Sequence, residues 1–410
     1  MNACIITVGD ELLIGQILNT NSAWIAQKLN ELGIQVKWQL TIGDEKKELF
    51  ENLTEFLIKS DIIIITGGLG PTSDDITKPT LCEFFNSRLI FNKNILEHVE
   101  KFVVSRGGIL NELNKSQAYV PDNAITLFNP IGTAPGLWFN KNDKTVIAMP
   151  GVPFEMEKMM TDQVIPLLKS HCQLSNIFHR TINTQGIPEA RLAEMLNSWE
   201  KSLPNKIKVA YLPSPGMVRI RLSLYDADNE DLLKKYENEL HKIIGNNIWG
   251  YDNDSLEKII GALLLERNKT LATAESCTGG NISKTIVSVP GSSRYFIGGI
   301  VAYSNDIKIN QLGVNEDIIK KYGAVSKEVV EMMVANVIKK FKSDYGIAVS
   351  GIAGPDGGTV EKPVGTVYIS VGDNNKVLTQ KFNFADNRER NIIKSTYSAL
   401  NMLRMFINSN

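Results

Sequence analysis

Residues 62–66 read Ile62-Ile63-Ile64-Ile65-Thr66, an apolar run with no polar face. Such a run suits a strand of a parallel sheet covered on both sides. Around it the apolar spacing switches between the period of strands and that of helices. Residues 3–8, 35–42 and 144–149 are predicted strands. Residues 19–32, 45–59, 77–85 and 94–106 are predicted helices, the first with Trp24, Ile25, Leu29 and Leu32 on one face. This alternation predicts a doubly wound α/β domain over residues 1–170.

The pattern changes at residue 171. Strands are expected at 178–183, 207–211 and 217–225, the last two forming a hairpin across Pro213-Ser214-Pro215-Gly216, with helices at 188–199 and 231–244. They make a small α+β unit over residues 171–253, without a constellation of catalytic groups. Its expected role is that of a spacer or a dimer contact. A third unit, also α/β, covers residues 254–410. It has a helix at 256–267, strands at 270–274 and 345–350, an antiparallel pair at 365–371 and 377–384, and a closing helix at 389–406.

Across 410 residues, 44 lysines and arginines face 45 aspartates and glutamates. Nothing in that balance draws the chain to nucleic acid or to an anionic membrane. A composition of 43% hydrophobic and 22% charged residues is that of a globular protein. The cysteines, Cys4, Cys82, Cys172 and Cys277, are too scattered for a metal clip, which fits a reducing compartment. No apolar run approaches the ~20 residues of a membrane span, and the first residues lack a basic leader. A cytoplasmic protein without a membrane partner is expected.

Two turns carry candidate chemistry. The first, Gly67-Gly68-Leu69-Gly70-Pro71-Thr72-Ser73-Asp74-Asp75, follows the all-apolar strand. The C-terminal edge of such a strand is where open α/β sheets bind ligands. Successive N–H groups at Gly67, Gly68 and Gly70 suit an anion. Carboxylates beside a phosphate require a cation between them, most simply Mg2+, and Asp74 and Asp75 are placed for it. Their alternative role is to cap a helix starting near Ile76. Asp10 follows the first strand and shares the same edge. Glu155 is a further candidate ligand, unless it only supplies charge to the first turn of a helix. Asp44 follows Gly43 as a helix N-cap would. The stretch Gly132-Thr133-Ala134-Pro135-Gly136 is either a close-fitting ligand wall or an ordinary loop.

The second turn, Glu275-Ser276-Cys277-Thr278-Gly279-Gly280, also leaves a strand and opens a helix near Gly279. The N–H groups of Thr278, Gly279 and Gly280 can hold a phosphate or a developing oxyanion. Ser276 is a nucleophile, an anion ligand or, like Thr278, a helix cap. Cys277 is the stronger intrinsic nucleophile and stays open. The four histidines, His98, His171, His179 and His241, lie outside this unit. A serine here would need lysine or tyrosine as its base, and Tyr303 and Lys308 are the candidates.

Together these motifs resemble the competence/damage-inducible CinA family over the whole chain. In the first domain the resemblance rests on Val8-Gly9-Asp10-Glu11-Leu12-Leu13, on the turn at 67–75, on 132–136 and on 149–156. In the last it rests on Ala274-Glu275-Ser276-Cys277-Thr278-Gly279-Gly280, Tyr303-Ser304-Asn305, Gly323-Ala324-Val325-Ser326, the glycine loop 351–358 and Lys362-Pro363-Val364-Gly365-Thr366-Val367.

The resemblance implies an N-terminal domain similar to the molybdopterin-binding domains of molybdenum-cofactor biosynthesis. A nucleotide-like ligand would lie above residues 67–70, with Asp44 and Asp75 at the functional acidic positions. Some family members hydrolyse ADP-ribose there with a divalent metal. The resemblance likewise implies a C-terminal domain similar to nicotinamide-nucleotide amidohydrolases, which turn nicotinamide mononucleotide into nicotinate mononucleotide and ammonia. Ser276 would then be the nucleophile with Tyr303 and Lys308 beside it, Arg388 would clamp the phosphate, and Gly351 and Gly354 would wrap it. No metal would be needed at that site, and a homodimer is implied. The chain departs from the family pattern at Asp386-Asn387-Arg388, where Gly-Asp-Arg is expected, and at Ile392, where a second basic residue often stands. The expectation is a bifunctional enzyme of pyridine-nucleotide recycling. Its alternative is a non-catalytic nucleotide- or molybdopterin-binding regulator connected with competence.

Overall fold

A computed structural model of the chain describes residues 1–171, 177–225, 227 and 229–409. Contacts divide it into two compact units, Met1–Phe178 with Leu224–Glu230, and His179–Ser223 with Asp231–Asn410.

The first unit is built on a six-stranded sheet. Its order is Gln35–Ile42, Asn2–Val8, Ile62–Thr66, Lys144–Met149, Gly136–Lys141, Ile125–Leu127. The first four strands are parallel, and Gly136–Lys141 pairs antiparallel with both its neighbours, Lys144–Met149 and Ile125–Leu127. The strand Ile62–Thr66 is buried throughout. Because side chains alternate along a strand, its four isoleucines serve two cores. Ile62 and Ile64 pack with Ile25, Leu29, Met156 and Met160 on one face. Ile63 and Ile65 pack with Leu49, Leu53 and Leu81 on the other. Each such burial contributes about 1.5–3 kcal/mol. The antiparallel strand Gly136–Lys141 was not singled out by the sequence pattern; its run of buried residues, Gly136-Leu137-Trp138-Phe139, has no period to read. Pairing of Thr7 with Thr66, and of Thr66 with Met149, ends three parallel strands at one level. Gly9, Gly67 and Pro150 therefore emerge side by side.

The second unit holds two sheets. One has the order Ile207–Ser214, Met217–Tyr225, Ile177–Gln185, Ile248–Tyr251. The helices Glu189–Lys201 and Asp231–Ile244 pack together beside it. The other runs Phe296–Val301, Leu271–Glu275, Tyr345–Gly351, Thr366–Gly372, Val377–Asn383, with its first three strands parallel. On one face Ala272, Ala274 and Ala348 let the helix Lys327–Phe341 sit close through Met333, Val334 and Val337. On the other, Ile347 and Val349 meet Leu264 of the helix Leu256–Glu266 and Leu403 of the helix Arg388–Asn408. Glu275 pairs with both Val301 and Val349, so Ser276, Ala302 and Ser350 come together at one edge of the three parallel strands.

Among the described residues, no helix is long and apolar enough to cross a membrane. Cys4, Cys82 and Cys277 are free thiols. Cys172 lies outside the described residues.

Candidate active sites

In the first unit, the turn after Thr66 is held from below. The Thr77 hydroxyl donates to the Gly67 carbonyl at 2.8 Å, and the Gly67 N–H donates to Met149 O at 3.1 Å. Gly67 and Gly68 have φ of +108° and +65°. A Cβ at Gly67 would run into the Val8 carbonyl, and one at Gly68 would lie 2.5 Å from Thr77 Oγ1. Only glycine fits either position. Above the turn lies a cavity of about 500 Å³. Gly67, Gly68, Gly70, Asp44, Asp74, Asp75, Thr133 and Glu155 all line it, together with Glu11.

The carboxylates do different work from that expected. Asp75 neither caps the next helix, whose N-cap is Ile76, nor points free oxygens at a cation. It accepts from Gly70 N at 2.7 Å, Thr72 N at 2.8 Å and Thr72 Oγ1 at 2.5 Å, and so knots its own loop. Asp10 stands outside the cavity lining. Its N–H donates to Asp44 Oδ2 at 3.1 Å, and the Asp44 N–H donates to Asp10 Oδ1 at 3.3 Å. Asp44 is not a helix cap; that position belongs to Glu45. Burial raises the Asp44 carboxyl, as do the charges of Asp10, Glu11 and Asp74. Burial also raises Glu155, which accepts from Asn129 Nδ2 at 2.7 Å. Gly132 does not line the cavity; a side chain there would collide with Glu155. Among the described residues no three acidic, histidine or cysteine side chains form a group able to hold a metal. The expected set of Asp10, Asp74, Asp75 and Glu155 is therefore not a ready-made chelate.

Asn21 lies inside the helix Thr20–Glu31. The helix cap is Asn19. Asn21 is buried and donates to Thr66 Oγ1 at 3.0 Å and to Gly151 O at 2.8 Å, tying two ligand-edge loops together.

In the second unit, Ser276, Cys277, Tyr303, Asn305, Lys308, Ala324, Val325, Ser350, Gly351, Ala353 and Arg388 surround a cavity of about 170 Å³. Lys308 is only 1% exposed. Its Nζ lies 3.1 Å from Ser276 Oγ, 2.8 Å from Ala302 O and 3.0 Å from Tyr303 O. Desolvation lowers its pKa, because burial penalises the charged amine. A neutral amine has two hydrogens for the two carbonyls, and its lone pair is then left for the serine hydroxyl. The Tyr303 phenol, 59% exposed, instead accepts from Arg388 Nη2 at 3.0 Å. Of the two candidate bases, lysine is the one in contact with Ser276. Cys277 is buried, and burial pushes its thiol up to about 12. A thiol so held stays protonated, and the Lys308 amine is hydrogen-bonded to Ser276, which favours the serine as the nucleophile.

The helix after this turn starts at Asn281 rather than near Gly279. Thr278, Gly279 and Gly280 do not line the cavity. The Gly279 N–H donates to Ser276 O at 3.0 Å. The Gly280 N–H and the Thr278 hydroxyl donate to Glu275 at 3.1 and 2.8 Å. Among the described residues, the Ser276, Gly279 and Gly280 N–H groups are already taken, and of the rest of the turn only Cys277 lines the cavity. Gly354 is also outside the lining; its carbonyl accepts from Arg388 Nη1 at 2.7 Å. Asn391 Nδ2 donates to Ala353 O at 3.0 Å and Asp386 O at 2.7 Å, which fixes the glycine loop against the segment bearing Arg388. Sequence reading gave no role to Glu275, Asn305, Ser350 or Asn391. An acidic residue at the last position of a strand before a helix-opening turn was the one available signal, at Glu275.

Family profiles match three stretches of the chain. They are described as a probable molybdopterin binding domain over 4–170, the KH domain of damage-inducible protein CinA over 179–250, and the CinA C-terminal domain over 253–407. A CinA-like protein of Cytophaga hutchinsonii is 45% identical over 98% of this chain and 97% of its own length. A putative competence-damage inducible protein of Caldicellulosiruptor saccharolyticus is 41% identical over 99% of each. Among solved structures, a CinA protein of Thermoplasma acidophilum described as of unknown function shares 34% identity over 42% of this chain and 98% of its own, with a TM-score of 0.38.

Proposed function

The chain belongs to the CinA family of competence/damage-inducible proteins, and from that premise we propose that its second unit hydrolyses the carboxamide of nicotinamide mononucleotide. The observation that carries the reading is the buried Lys308 amine 3.1 Å from Ser276 Oγ. Neutral Lys308 takes the Ser276 proton as Oγ attacks the carboxamide carbon. The backbone N–H at Cys277, the residue after the nucleophile and the one that lines the cavity, would receive the negative charge that develops on the carbonyl oxygen. Protonated Lys308 gives its proton to the departing nitrogen, and ammonia leaves an ester on Ser276. Water, deprotonated by Lys308, then attacks that ester and releases nicotinate mononucleotide. Arg388, held by Gly354 O and the Tyr303 phenol at the cavity wall, would meet the phosphate with its remaining N–H groups. The test is ammonia and nicotinate mononucleotide appearing together when purified protein meets nicotinamide mononucleotide.

For the first unit the reading is a site for a nucleoside diphosphate, with ADP-ribose as substrate. A cavity of about 500 Å³ lined by a turn in which only glycine fits supports it, although the Gly67 and Gly70 N–H groups, expected to hold the anion, are instead taken by Met149 O and Asp75. A divalent cation, most simply Mg2+, would there be shared with the ligand: Asp44 and Asp74, which both line the cavity, would offer one carboxylate each and the ligand's oxygens the rest. When bound, it would polarise a phosphoryl oxygen. Asp75 keeps the loop in shape, and Glu155 with Asn129 closes the far wall. Phosphate released from ADP-ribose by a coupled phosphatase, with and without chelator, tests this half. A cytoplasmic homodimer is proposed as the working form.

A further inference from the structure

We propose that Glu275 is a positioning residue for the nucleophile turn, an inference that rests on Ser276 being the reacting group. Glu275 has no exposed surface. Its Oε2 accepts from Thr278 Oγ1 at 2.8 Å, Gly280 N at 3.1 Å and Ile282 N at 3.0 Å. Its Oε1 accepts from Ser283 N at 2.8 Å and Ser283 Oγ at 2.7 Å. Ser283 Oγ in turn bonds Thr273 Oγ1 at 2.8 Å, in the strand that ends at Glu275. A side chain at Gly299 on the neighbouring strand would collide with that pair, so the glycine leaves room for it.

Burying a carboxylate costs several kcal/mol unless hydrogen bonds replace its water. Capping a helix needs far less: one short polar side chain satisfies an N-terminus. The helix Asn281–Val287 has only seven residues, and its own N-cap, Gly280, supplies no side-chain bond. Five donors on one buried carboxylate exceed what so short an element requires. Their common effect is on the chain between Ser276 and Gly280. Glu275 draws in the Gly280, Ile282 and Ser283 N–H groups and the Thr278 hydroxyl, and the turn must then bend over it. That bend holds Ser276 and Cys277 at the wall of the cavity. Ser276, next in the chain, is fixed from behind while Lys308 approaches from the front.

The experiment compares wild type, Glu275→Gln and Ser283→Ala. Glutamine keeps the shape but offers one acceptor oxygen where five donors need two. With nicotinamide mononucleotide, kcat of Glu275→Gln should fall by about 10²-fold, the scale of a reacting group misplaced by about 1 Å. KM should stay within about threefold and the acid limb of the pH profile should not move, since Lys308 is untouched; a merely structural role would not separate these quantities. A fluorophosphonate, which needs an activated serine but no amide substrate, should label Ser276 of wild type and label the variant more slowly by a similar factor. If Glu275→Gln does not fold, Ser283→Ala decides, with a roughly tenfold fall in kcat expected at unchanged KM. Wild-type kcat and labelling rate in a folded variant overturn the inference. Slower labelling in the variant, from a wild type that releases no ammonia, would support the positioning role while removing the substrate assignment.

Discussion

Lys308 Nζ and Ser276 Oγ lie 3.1 Å apart, and the remaining hydrogen-bond directions of the amine end on Ala302 O and Tyr303 O. Two carbonyls orient the amine and a buried setting disfavours its charge. The serine therefore meets a base although residues 254–410 contain no histidine.

Replacing Lys308 removes that base. Lys308→Ala should lower kcat for ammonia release by about 10³-fold, within the range for a lost general base. Lys308→Arg should not rescue it, because guanidinium does not surrender its proton. Steady-state kinetics on both variants, with circular dichroism to confirm folding, check this.

The pH profile follows from the sign of the Lys308 shift. Only the neutral amine accepts the serine proton, so kcat/KM should rise with pH and level off above the lysine's pKa. Burial lowers that pKa, so the limb should lie below the ordinary value of 10.5. A limb at or above that value would contradict the buried-base account.

Cys277 offers a contrast in reactivity. Its thiol is pushed up to about 12, so thiolate is scarce near neutrality. Iodoacetamide at pH ~8 should leave ammonia release intact, whereas a fluorophosphonate should abolish it. Mass spectrometry of the labelled peptide identifies the residue that reacts.

At the first site, Asp75→Ala unties three hydrogen bonds within one loop. Each is worth about 1 kcal/mol. ADP-ribose affinity measured by calorimetry should fall at least tenfold, while ammonia release by the other unit should not change.

Strand ends and turns were legible because apolar periods and glycines announce them. The run at 62–66 and the Ser276 turn are of this kind. What a side chain does once the turn is folded was not legible. Asp75 and Asp74 look alike in sequence, yet only Asp75 is bonded by Gly70 and Thr72. Tyr303 and Lys308 are equally near Ser276 in motif terms. A helix of six residues, Asn305–Asn310, turns Lys308 inward, while the Tyr303 phenol faces Arg388. Glu275 sat in plain view within its motif, but its partners at Ile282 and Ser283 appear only when the chain bends back.

Ammonia release from nicotinamide mononucleotide by wild type and Ser276→Ala, assayed at equal concentration of folded protein, tests the account most directly. Turnover by wild type, reduced to background in the variant, is the predicted result. No turnover by wild type, or undiminished turnover by Ser276→Ala, would contradict it.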